Sequence, residues 1–157
     1  MAHYLKRADP PSSAEDTTTA GVVTAKLDEI RQSGESAVRA MNREFDGWDG
    51  SVVVSRDEIH DARKQLPGTV EDDIRFAHDR VSAFAKRQRE SLSEFEMELA
   101  DGVTAGQRLV PVSTAGCYVP GGRYAHAASA IMSAATARVA GVENIVAASP
   151  PGRQDIH

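Results

Sequence analysis

The chain has few of the residues that would staple it or anchor it elsewhere. Its 157 residues include one cysteine, Cys117, which excludes an internal disulfide framework and any multi-cysteine zinc site. Five histidines, His3, His60, His78, His126 and His157, are scattered along it. No pair has the i, i+4 spacing of a zinc-binding HExxH helix, so no metal motif is recognisable. Positive charge is not in excess either. The 18 Lys and Arg are outnumbered by 23 Asp and Glu for a net charge of −5, with the two signs interleaved, which argues against nucleic-acid or anionic-membrane partners. There is no run of about 18 apolar residues to span a bilayer. The start, MAHYLKRADPPSSAEDTTT, lacks the apolar segment of a secretory signal. A soluble cytoplasmic protein is expected. Internal repeats and low-complexity tracts are missing as well.

What is present reads as helices first and strands second. After "PPSS" a helix is predicted over about 15–33, with Val23, Leu27 and Ile30 on one face and Gly34 as its stop. In "ESAVRAMNREF" the residues Val38, Met41 and Phe45 keep helical spacing until "DGWDG" breaks it, and "SVVVS" then reads as a brief strand. Ser55 followed by Glu58 forms a capping-box pattern that opens a helix ending before Pro67. The longest helix, about 70–92, carries Val70, Ile74, Ala77, Val81 and Phe84 on one face, with a charged far side. The period then changes to two. "FEMEL" alternates apolar and acidic residues, and Asp101-Gly102 favours a tight turn into "VTAGQRLVPV". A strand at about 115–118, a helix at about 127–140 stopped by Gly141, and a strand "NIVAAS" make a βαβ unit. The fold class is therefore α/β, with N-terminal helices and a β-hairpin leading into an incomplete doubly wound, Rossmann-like parallel sheet. Such sheets carry more strands than this chain provides.

Ligands of open α/β sheets sit at the carboxyl ends of strands, which is where Pro120-Gly121-Gly122 falls. Missing Cβ atoms let a ligand approach the backbone there, and Tyr118 offers a flat face and a hydroxyl. Pro-Gly-Gly is also an ordinary turn, and a strand-end tyrosine is commonly core, so pattern alone leaves both readings open. The loop is neither a Walker loop nor a GxGxxG fingerprint.

The stretch "GCYVPGGRYAHAASAIMSAATARVAGVENIVAASPP", with "DGVTAGQRLVPV" and "GESAVRAMNREFDGW" before it, resembles the N-terminal part of the histidinol dehydrogenase family from about residue 15 onward. The resemblance implies an NAD-dependent, zinc-containing homodimer that oxidises a small polar alcohol by hydride transfer. It implies two regions: residues 1–111, helical with the hairpin, and 112–157, the start of a truncated βαβ NAD-binding domain. Members are far longer, with zinc ligands and a Glu-His acid/base pair downstream of the matching segment. The chain is expected to be a fragment, with no catalytic or metal residue of its own. By the same resemblance Tyr118 matches a tyrosine that contacts NAD, Pro120 falls at the neighbouring contact, and Phe45 matches an aromatic near the cofactor. For Phe45, a helix-end core position is the alternative.

The sequence departs from the biosynthetic branch where an Asn-Ala-Ile-Pro stretch is replaced by Ser133-Ala134-Ala135-Thr136, which looks more like the branch that oxidises sulfopropanediol. Arg123 suits an anionic substrate or a cofactor phosphate, although a solvated loop arginine is commoner. His126, at a helix entry, is more often structural than catalytic. Cys117 reads as a small buried hydrophobe. The rival function is a stand-alone module that binds a nucleotide or a partner subunit without catalysis, and a reading frame that continues past His157 would separate the two.

Overall fold

The computed structural model describes residues 13–121 and 125–151. By packing, the chain divides into two units, one ending at Val54 and the other beginning at Ser55. The boundary expected at 111 falls inside the second unit.

The first unit is helical. α1 spans Ser13–Ser33 and stops at Gly34, whose φ of 59° a side chain would oppose. The Gly34 N–H closes the last turn on the Ile30 carbonyl at 2.8 Å. α2, Glu35–Met41, buries Ala37 and is braced by an i, i+4 pair of Glu35 and Arg39 at 2.7 Å. The helical spacing through Phe45 is kept, but residues Asn42–Asp46 widen into a π turn that ends at Gly47 in the left-handed region, φ 65°. The strand expected at "SVVVS" does not form, and residues 52–53 bend instead. β-branched side chains favour a strand only where a neighbour pairs with it. Here local polar bonds win: the Ser51 hydroxyl donates to the Val53 carbonyl at 2.7 Å, and the Trp48 indole N–H donates to the Ser51 carbonyl at 3.1 Å.

The second unit opens with the expected capping box. The Glu58 N–H donates to the Ser55 hydroxyl at 3.2 Å, and the Ser55 N–H donates to the Glu58 carboxylate at 2.7 Å. These bonds start α3, Arg56–Lys64, and hold the Glu58 carboxyl below its usual range. α4, Gly68–Glu90, follows Pro67. Of its apolar face, Ile74, Ala77 and Val81 are half-buried, while Val70 and Phe84 are exposed. The helix meets α5 (Ala127–Ala140), and the residues buried in the two helices are Ala85 and Ala135. Small side chains allow a close helix approach, and a large one such as Phe84 is left at the margin.

β1, Phe95–Ala100, and β2, Val103–Gln107, form the antiparallel hairpin around Gly102, φ 76°. Both strands are exposed along their whole length. Residues 108–112 leave the ladder, so the second strand is shorter than "VTAGQRLVPV". β3, Thr114–Tyr118, and β4, Asn144–Ala148, pair in parallel with α5 between them in the chain and packed on both. Gly141, φ 95°, caps α5: its N–H donates to the Arg138 carbonyl and the Val142 N–H to the Ala137 carbonyl, both at 3.1 Å. Val142, just past the cap, is buried. Among the described residues the architecture is thus mixed α/β: five α-helices, a hairpin and a two-stranded parallel pair. No helix in that range is long and apolar enough to cross a membrane.

Candidate functional site

The parallel pair creates one chemically distinctive place, its carboxyl end. Tyr118 lies opposite Ala148 in the register, and the ladder continues one step further through the Val119 N–H, which donates to the Ala148 carbonyl at 2.8 Å. Alternation along β3 sends Cys117 and Tyr118 to opposite faces. Cys117 is 7% exposed and belongs to the small core, as its apolar context suggests, whereas Tyr118 is 68% exposed. Tyr118 is thus open to solvent among the described residues.

After Tyr118 the chain turns through half-buried Pro120 and Gly121. An added Cβ at Gly121 would lie 3.1 Å from Cβ and Cγ of Pro150 and 3.3 Å from its Cδ. The loops that leave β3 and β4 thus meet at a glycine. Pro150 is the residue that sequence reasoning passed over; the signal was the Pro-Pro pair placed directly after a predicted strand. Together these residues set an open phenol ring at a strand end whose turn packs against Pro150.

Other expected residues fall elsewhere. Arg123 lies outside the described residues. His126 is exposed at the start of α5 and makes no side-chain cap; its carbonyl accepts from the N–H groups of Ser129 and Ala130 at 3.0 and 3.2 Å. Phe45 belongs to the first unit, where it is 63% exposed with the Lys26 ammonium 5.6 Å from its ring centroid. Tyr118 and Pro120 share one strand end, and Phe45 is placed within its own unit only.

Among the described residues no three His, Cys, Asp or Glu side chains gather to hold a metal ion. A groove of about 650 Å³ lies between α4, residues 108–112 and α5, and contains none of the expected site residues. Its lining is mainly aliphatic, including Leu92, Leu109, Val112 and Val139, with Arg89 and Arg108 as its charged groups. That is the chemistry of a packing surface, and the strand end, with its exposed tyrosine, is the better candidate for ligand contact.

Residues 10–157 match the family model described as histidinol dehydrogenase. The chain is 48% identical over 149 residues to a histidinol dehydrogenase homolog of Pelagibacter ubique, covering 94% of this chain and 35% of that protein. It is 44% identical over 148 residues to the sulfopropanediol 3-dehydrogenase of Ruegeria pomeroyi, covering 94% and 34%. Its fold matches the crystal structure of histidinol dehydrogenase from Elizabethkingia anophelis with a TM-score of 0.77 at 21% identity, over 96% of this chain and 33% of that one. The chain spans about a third of the length of the curated relatives it matches.

Proposed function

This chain belongs to the histidinol dehydrogenase family, and from that premise we propose that it forms the dinucleotide-facing part of an NAD-dependent alcohol dehydrogenase. The observation that carries the proposal is Tyr118, open to solvent at the carboxyl end of β3 beside the turn that packs against Pro150. Bound there, NAD would take hydride from the carbinol carbon of the substrate while the hydroxyl proton leaves to a base. The chain's own contribution is to stack and orient: Tyr118 supplies the flat contact, and Pro120 and Gly121 form the turn that follows it.

In this reading the metal-binding and proton-shuttling groups lie in the further length that the relatives possess, and the complete enzyme is a homodimer. We assign the substrate to the small polar alcohols and place a sulfonated diol ahead of histidinol. The support is the 44% identity to the sulfopropanediol enzyme together with the Ser133-Ala134-Ala135-Thr136 stretch. The two hydroxyls of that stretch bond within α5: Ser133 donates to the Ser129 carbonyl at 2.7 Å, and Thr136 donates to the Met132 carbonyl. They act on helix shape, not on substrate directly.

The test is an NAD titration of the chain followed by backbone amide NMR. Shifts concentrated at Tyr118 and Val119 are expected. Saturating NAD that leaves those amides unmoved would remove the proposal. A parallel assay of NADH formation with zinc and either alcohol should give no turnover above a denatured blank, and turnover would show that the chain carries catalytic groups this reading places elsewhere.

A further inference from the structure

Two loops leave the same end of the parallel pair, and only one has been given a role. The loop after β4 brings the Pro150 ring against the α-carbon of Gly121, where a Cβ would come within 3.1 Å of it. That separation is tighter than ordinary side-chain packing, so an alanine at 121 fits only if Pro150 gives way. Pro150 has little freedom to do so. Its ring fixes φ, and Ala148, two residues earlier, is tied to the Val119 N–H at 2.8 Å. Pro120, Gly121, Pro150 and Pro151 are all half-buried at this junction, while Tyr118 stays open.

We infer that Pro150 is a positioning residue: its ring, seated on Gly121, holds the turn after β3 in the shape that presents Tyr118 to its ligand. Pro150 acts through Gly121 and touches no reacting atom. The glycine is required because the opposing loop occupies the space of a side chain, a reason distinct from a need for positive φ, which Gly121 does not have. The inference rests on the reading of this strand end as a dinucleotide site, but the lock between the loops is separately measurable.

The experiment compares the wild-type chain with Gly121→Ala, Pro150→Ala, the double variant and Pro151→Ala. Hydrogen exchange at the Val119 amide reads the lock, and NAD affinity reads the site. Gly121→Ala should speed exchange at Val119 about fivefold or more by local opening and weaken NAD binding about tenfold through a displaced contact. Pro150→Ala removes Cγ and Cδ and keeps the Cβ, so the double variant should lose less NAD affinity than the two single losses combined. Such non-additivity marks a direct contact, and a purely structural loss would not produce it. Pro151→Ala should change neither reading. Additive losses, or a Gly121→Ala chain with wild-type exchange at Val119, would overturn the lock. If wild type itself does not bind NAD, the site reading falls while the exchange data still decide the lock, and if Gly121→Ala fails to fold, Pro150→Ala alone must still accelerate Val119 exchange for the lock to stand.

Discussion

Arg63, in the last turn of α3, donates to the carboxylate of Glu71 in the first turn of α4, so one ion pair spans the Pro67 corner between the two helices. Arg75, one turn further along α4, adds a second bond at 3.0 Å. The bond and charge of Arg63 are the main causes holding the Glu71 carboxyl below its usual range.

A lowered native value means that the unfolded chain binds the proton first, so this pair stabilises the fold above the ordinary glutamate value of about 4.3 and loses its effect as the pH falls through the lowered native value. Glu71→Gln should therefore melt below wild type at pH 7, with the two curves converging in acid. Thermal melts followed by circular dichroism at pH 7 and pH 3 check this; an equal gap at both would mean that the pair does not titrate as described.

Removing the Ser55 hydroxyl tests the start of α3. Ser55→Ala should cost about 1 kcal/mol, while Ser55→Gly should cost only a few tenths. Denaturant midpoints of the three proteins supply the comparison, and indistinguishable alanine and wild-type midpoints would refute the role of the cap.

Tyr118→Ala separates ligand contact from packing. With the ring 68% exposed, its loss should leave the melting temperature nearly unchanged and weaken NAD binding by roughly two- to tenfold, corresponding to about 0.5–1.5 kcal/mol of aromatic contact. A strong fall in melting temperature with unaltered NAD affinity would place Tyr118 among structural residues.

The hairpin presents Phe95, Met97 and Leu99 to solvent, and Val110 and Val112 beyond it are 80% and 62% exposed. Apolar surface of that extent is characteristic of surfaces that become covered. The chain should self-associate with concentration, and Met97→Lys with Val110→Lys should reduce this. Light-scattering chromatography that shows a sharp monomer across a wide concentration range would contradict the expectation.

The helices, the hairpin and the βαβ order were legible because periodicity is a local property. Ser55 with Glu58, Asp101-Gly102 and Gly141 marked their elements through backbone chemistry that needs no distant partner. Residues 51–55 misled because three valines signal a strand only if another strand lies alongside. The π turn at Asn42–Asp46 left no trace in the spacing, since one extra residue per turn hardly shifts the apolar pattern. Burial was the least legible. Phe84 keeps the helical repeat of α4, yet the contact with α5 is built on alanine. Tyr118 was legible as a candidate by position and family resemblance, whereas Pro150 needed the spatial pairing of two strand ends 30 residues apart in register, Tyr118 with Ala148.

That same pairing bears on the order in which the second unit assembles. Asn144 must find the Ser113 carbonyl across 31 residues, and closing so long a loop loses chain entropy before any parallel bond is gained. α5 and its Gly141 cap shorten the search, because their bonds are local and turn the chain back toward β3 before the strands meet. Tyr118 and its turn sit at the end of that long-range pairing, whereas the helix and its cap are held by local bonds. The part of the molecule suited to a ligand is therefore held by a contact between distant residues and not by local bonds alone.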